Sequence, residues 1–254
     1  MATSGTPILI KACLNGRRPA GSHPALPVSA EEVARAAVAV RAAGAGAVHV
    51  HPRAFDGSES QSAEDVGRTV MAVRAASPGL PVGVTTGFWI AGDAASRSRQ
   101  VEAWRDLPDF TSVNWSEEGS PELAELLIAM GVGVEMGLGS VEHARAFAAS
   151  SVAPRCLRVL VEVRERDRVD AVTRAAQIDE VLDAAGLTVP RLHHGFGADT
   201  WGVLEVAFDK GRDARIGLED TFTLPDGAEA KDNAALVAAA VARARRHGRE
   251  PVGA

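Results

Sequence analysis

No tyrosine occurs in the 254-residue chain, and aromatic residues make up only 4 % of it. Few rings are therefore available for stacking nucleic-acid bases. Positive charge is not in excess either: 27 Lys and Arg stand against 33 Asp and Glu, a formal net charge of −6. That balance gives a nucleic acid no basic surface to bind. Cysteine is nearly missing. Cys13 and Cys156 form no CxxC pair, which argues against a disulfide framework or a thiolate zinc site and for a reducing, cytoplasmic setting. Apolar runs stay far below the roughly 18 residues of a membrane span. The start has no basic region ahead of an apolar stretch, so no secretory signal and no membrane partner are expected. The expected partners are small molecules and further copies of the chain, as a dimer or tetramer.

What the sequence does contain is alternation. Short apolar runs at 8–14, 47–51, 81–85, 110–113, 132–136, 156–161, 191–194 and 214–218 read as strands, each followed by a helical stretch. Ser29 with Glu32 forms a capping box, and Gly44 ends that helix. Further helices are expected at 62–76, 95–105, from the Ser120-Pro121 cap, at 140–149, 169–185, around Trp201, Leu204 and Phe208, and at 231–246. Eight strand–helix units with continuous apolar strands predict a single (β/α)8 TIM-barrel domain over 1–254. An open doubly wound sheet is the rival, and the count of eight tells against it.

The sharpest local signal is Val48-His49-Val50-His51. On a strand, residues two apart face the same way, so both imidazoles can reach one metal ion or, alternatively, hydrogen-bond within a polar barrel end. The eighth strand ends Arg215-Ile216-Gly217-Leu218-Glu219-Asp220. Strands two and eight can place side chains in one layer, which makes Glu219 a sensible third zinc ligand, with a rim salt bridge to Arg215 or Arg53 as the alternative. Thr85-Thr86-Gly87, Asn114 and Gly195-Phe196-Gly197 end other strands at the same face, where they can bind an anion or only cap helices. Of His193 and His194, one is expected to point inward, since neighbours on a strand face opposite sides.

At these residues the chain resembles the β-keto acid cleavage enzymes, whose founding activity is 3-keto-5-aminohexanoate cleavage. The matching stretches are Leu14-Asn15-Gly16, Leu26-Pro27-Val28 leading into Glu31-Glu32, and Gly44 through Val48-His49-Val50-His51-Pro52-Arg53. Ser60-Gln61, Thr85-Thr86-Gly87, Asn114, Glu135 and Arg215 to Asp220 continue them in order. The resemblance implies a zinc enzyme that converts a β-keto acid and acetyl-CoA into acetoacetate and a new acyl-CoA. It implies that His49, His51 and Glu219 hold Zn2+, that Asp220 takes a proton from C2 of the keto acid, and that Arg215 orients this base. Asn15, Thr85, Thr86, Asn114 and Glu135 are then expected to line the substrate. Because Glu219 and Asp220 are neighbours, the strand must end or bulge there for both to serve.

The departures are informative. The family's acidic residue just after the first turn, which meets the substrate amine, is replaced by Arg17-Arg18. Arg18, with His23 assisting, is expected to select an anionic or polar β-keto acid instead. The family's glycine–proline-rich loop after strand six is replaced by Val161-Glu162-Val163-Arg164-Glu165-Arg166, and a second glycine after Thr86 by Phe88. These keep open a zinc carbon–carbon lyase or aldolase acting without CoA. A metal hydrolase of the amidohydrolase type is a weaker rival, since it places HxH on the first strand and further histidines on strands five and six.

Overall fold

The computed structural model describes residues 5–163 and 170–252. Eight parallel strands close on themselves in chain order: β2 (Ile10–Cys13), β3 (Ala47–Val50), β4 (Val82–Thr85), β5 (Phe110–Asn114), β6 (Gly133–Leu138), β7 (Arg158–Val163), β8 (Arg191–Gly195) and β9 (Asp213–Ile216). Closure is made by β2, which pairs Lys11 with Ala47 of β3 on one side and with Arg215 of β9 on the other. The α/β barrel expected from the unit count is therefore present. Its helices are α1 (Ala30–Ala42), α2 (Ala63–Ala76), α3 (Phe88–Ala91), α4 (Ala94–Glu102), α5 (Ser120–Ala129), α6 (Val141–Ala148), α7 (Ala171–Ala184), α8 (Thr200–Lys210) and α9 (Asn233–Arg246). Among the described residues no helix is long and apolar enough to cross a membrane.

The local chemistry explains most boundaries. Ser29 and Glu32 make the capping box of α1, and Ser62, Asp93, Ser140, Asp170 and Asp232 each accept a backbone N–H at the start of α2, α4, α6, α7 and α9. The expected Ser120 cap is corrected. Gly119 occupies the cap, while the Ser120 hydroxyl donates to the carbonyls of Asn114 and Glu117 and ties α5 to β5. The first strand is also split: β1 (Thr6–Ile8) leaves the barrel and pairs with β10 (Arg249–Pro251). This two-stranded sheet joins the two ends of the chain beneath the barrel. No period-2 signal predicts it, because each strand has only three residues.

Inside, Phe110 fills the barrel so closely that a Cβ at Gly83 would lie 2.0 Å from its ring. Lys11, fully buried beside that ring, pairs with Glu135, and Arg158 approaches Glu135 at 3.2 Å. Glu135 thus answers the buried ammonium of Lys11 in the barrel floor, since a buried ammonium without its carboxylate would be strongly destabilising. The open end above it carries the polar strand termini.

Candidate active site and metal centre

At the C-terminal ends of the strands lies a cavity of about 520 Å3, lined in part by His49, His51, Thr85, Ser112, Asn114, Arg215 and Glu219. A larger groove of about 910 Å3 runs between α6 and α7 on the outside of the barrel. Barrel chemistry sits at the strand ends, and the smaller cavity is the one lined by a His–His–Glu group able to hold a metal ion.

His49, His51 and Glu219 each offer a ligand atom, and these atoms lie within 4.8 Å of one another. The Nε2 of His49 is 3.9 Å from Glu219 Oε2, and the Nε2 of His51 is 3.8 Å from Oε1. Atoms at these separations can share one ion bound at about 2.0–2.2 Å. Burial holds His49 well below the usual histidine range, so its ring is neutral and competent as a ligand. Glu219 Oε2 is buried and has no hydrogen-bond partner, an unsatisfied carboxylate oxygen that a cation would satisfy. The three side chains thus fit a divalent metal.

The expected parity conflict is resolved by the end of β9. The strand stops at Ile216, and the N–H groups of Asp220 and Thr221 both donate to the carbonyl of Gly217, at 2.9 and 3.1 Å. In this turn alternation no longer applies, and Glu219 and Asp220 both reach Arg215. The Arg215 guanidinium grips Asp220 from Nη2 at 2.7 Å and from Nε at 3.1 and 3.2 Å, and its Nη2 also donates to Glu219. The salt bridge weighed as an alternative to ligation coexists with the cluster. Asp220 is fully buried; burial pushes its carboxyl up, against the pull of Arg215 and His194. His194 points inward, as expected for one of the two neighbours, with Nδ1 3.7 Å from Asp220 and Nε2 3.6 Å from Glu162. His193 faces outward to Asp179 of α7.

Several of the other expected site residues also bond within the scaffold. Asn15 makes no cavity wall; its amide donates to the carbonyls of Pro27 and His51 and accepts the His51 N–H at 2.8 Å, clamping the His51 backbone. Glu135 lies in the floor with Lys11, below the site. The Thr86 hydroxyl donates to the carbonyl of Ser112 at 2.7 Å, whereas Thr85 and Asn114 do line the cavity. Asn114 is steadied by donating to Glu117 at 2.8 Å. Arg18 lines the cavity and directs its guanidinium to the carbonyls of Leu218, Glu219 and Asp220 at 3.2–3.3 Å, while its neighbour Arg17 lies in the same cavity over Trp89. His23 is fixed between Ala230 and Ala25. Sequence reasoning missed Glu59, Trp89 and Ser112. They carry no motif, and only the folding back of loops and strands brings Trp89 and Ser112 to the cavity and Glu59 to His51. The segment 164–169, where the loop after β7 departs from the family pattern, lies outside the described residues.

A family model for the beta-keto acid cleavage enzymes matches residues 7–123 and 168–254. The chain belongs to that family. A curated relative, the 3-keto-5-aminohexanoate cleavage enzyme of Fusobacterium nucleatum subsp. nucleatum, is 24 % identical over 96 % of this chain and 93 % of its own. Among solved structures, apo ObcA superposes with a TM-score of 0.72 at 16 % identity, over 91 % of this chain. A ternary complex of ObcA with a C4-CoA adduct and oxalate gives 0.71 at 15 % identity, over 89 %. The chain spans 64 and 65 % of those two ObcA chains. At such identities the likeness concerns the fold.

Proposed function

We propose that this family member is a zinc-dependent enzyme that cleaves an anionic or polar β-keto acid by acyl exchange with acetyl-CoA. The observation that carries the reading is the convergence of His49, His51 and Glu219 beside a buried Asp220 held by Arg215. The relative that acts on 3-keto-5-aminohexanoate, and the ObcA structures with oxaloacetate and with a C4-CoA adduct, support a keto acid and a CoA thioester as the two substrates.

Zinc held by His49, His51 and Glu219 supplies Lewis-acid polarisation of a carbonyl oxygen. The chain does the rest. Thr85 and Asn114 bind the substrate carboxylate from the cavity wall. Asp220 takes a proton from C2, between the keto group and the carboxylate, and Arg215 fixes both Asp220 oxygens so that the base meets that carbon in one orientation. The carbon so activated attacks the acetyl carbonyl of acetyl-CoA and the thiolate leaves. The thiolate then attacks the original keto carbon, the C2–C3 bond breaks, and the electron pair returns to C2, where the proton held by Asp220 is restored. The products are acetoacetate and the acyl-CoA of the remaining chain, so every atom of the two substrates is accounted for.

The test is a screen of β-keto acids with acetyl-CoA and the zinc-loaded protein, scoring acyl-CoA esters. Equimolar acetoacetate and a new acyl-CoA are the expected result. Cleavage that proceeds without CoA would instead assign a zinc carbon–carbon lyase, and inactivity of the whole panel would overturn both.

A further inference from the structure

Of the two histidines facing Glu219, only one is held from behind. The His49 Nδ1 is buried and has no hydrogen-bond partner. The His51 Nδ1 lies 2.5 Å from Glu59 Oε1. The other oxygen of Glu59 accepts the indole N–H of Trp89 at 3.0 Å. Glu59 comes from the loop after β3 and is returned to His51 by an antiparallel bridge with Arg53. Trp89 is the second residue of α3, and its ring lies 6.2 Å from that of His51 at an interplanar angle of 24°. The fit is close: a Cβ at Gly87 would stand 2.3 Å from the indole.

We infer that Glu59, fixed by Trp89, is the positioning residue for His51 and sets how tightly the site holds its metal. This rests on the reading of His49, His51 and Glu219 as the metal set. The physical reason is the tautomer. A carboxylate on Nδ1 keeps the proton on that nitrogen and leaves the Nε2 lone pair free toward Glu219, 3.8 Å away. It also makes the imidazole a more basic ligand. The Trp89 donor matters because a glutamate in a loop has several rotamers, and a bond at its second oxygen selects the one that meets His51. His49 lacks such support, so the site's preorganisation depends on the His51 side.

The experiment is competition for zinc between a chromophoric chelator and the full-length protein, with apo melting temperature recorded for each variant. Glu59→Ala is expected to raise the zinc Kd by about 10- to 100-fold while one zinc per chain still binds at saturation. Glu59→Gln, whose amide oxygen still accepts from Nδ1–H, should show a smaller rise, and so should Trp89→Phe, which keeps a ring and loses the N–H. Apo melting temperatures of Glu59→Gln and Trp89→Phe should stay near wild type, which a merely structural role would not allow. His51→Ala is the reference and should lose the zinc. Unchanged Kd in Glu59→Ala and Glu59→Gln, alongside loss in His51→Ala, would overturn the inference and leave the metal set standing. Retention of zinc by His51→Ala would overturn both.

Discussion

Gly16 and Glu219 touch: a Cβ built on Gly16 would lie 2.2 Å from Glu219 Cγ, and Gly16 has φ +56°. The turn after β2 therefore packs directly on a proposed metal ligand, with no room for a side chain. Gly16→Ala should incur about 1–2 kcal/mol for the left-handed backbone and, separately, push Glu219 away from the two histidines. The expected outcome is loss of most zinc binding and activity. Gly21→Ala is the control, since it shares the positive φ but its Cβ would meet nothing within 4 Å. Zinc titrations and melting curves of both variants check this: equal zinc affinity in the two would refute the steric argument.

Asp220 is gripped by Arg215 and approached by His194, with its carboxyl fully buried. Asp220→Asn keeps an oxygen for Arg215 but cannot accept a proton. We expect turnover to fall by about 10²-fold or more, with zinc content unchanged. Near wild-type rates on an active substrate would move the base elsewhere, and Glu162, 3.6 Å from His194 in the same cavity, would be next.

The barrel and the shared face of His49 and His51 were legible because both follow from periodicity. Eight apolar runs count the strands, and His49 and His51, two apart, share a side. The Glu219–Asp220 pair was legible only as a contradiction, which the turn after Ile216 resolves. The contacts of Asn15 and Glu135 were not legible, because a motif match names a residue without saying what its atoms bond. Asn15 serves the His51 backbone 36 positions away, and Glu135 answers the buried charge of Lys11. Glu59 and Trp89 were invisible, since a loop that folds back onto a strand end leaves no repeat in the chain. Arg18 was preferred to Arg17 only for its place opposite the family's missing carboxylate, since the two are adjacent and chemically identical. Only the three carbonyls around Arg18 separate them.

Outside the barrel, acid stability is expected to hinge on Asp179. Burial raises its pKa, but the His193 hydrogen bond and the charges of Arg212 and Arg191 outweigh it and hold the carboxyl down at about 2. The unfolded chain, with a value near 3.8, takes up the proton first as pH falls. The stabilisation is thus present above the unfolded value and is lost as pH drops toward 2, amounting to on the order of 2 kcal/mol. Urea melts at steps between about pH 5 and 2 should show wild type losing this amount more than Asp179→Asn, which is already weakened at neutral pH. Parallel acid limbs for the two proteins would show that Asp179 contributes nothing to the pH dependence.

Substrate charge separates the two loop arginines. Arg17 lies 4.3 Å over the Trp89 ring in the cavity wall, exposed, and no carboxylate among the described residues pairs with it. Arg18 stacks 4.5 Å over Phe222 and holds the carbonyls of the turn that carries Glu219 and Asp220. A guanidinium with free donors on a fixed aromatic face can receive a carboxylate and repel an ammonium. A β-keto acid with a second anionic group at its far end should therefore be preferred over a cationic one. Arg17→Ala should lower kcat/KM for the anionic substrate by about tenfold, the lower range for a hydrogen bond to a charged group, with little effect on a neutral one. Arg18→Ala should instead lower activity on both alike, because it loosens the turn and not the substrate contact. The ratio of kcat/KM for anionic against neutral β-keto acids, measured in wild type and both variants, decides between them. A wild-type preference for the cationic substrate, or a ratio that moves with Arg18→Ala and not with Arg17→Ala, would reverse the assignment.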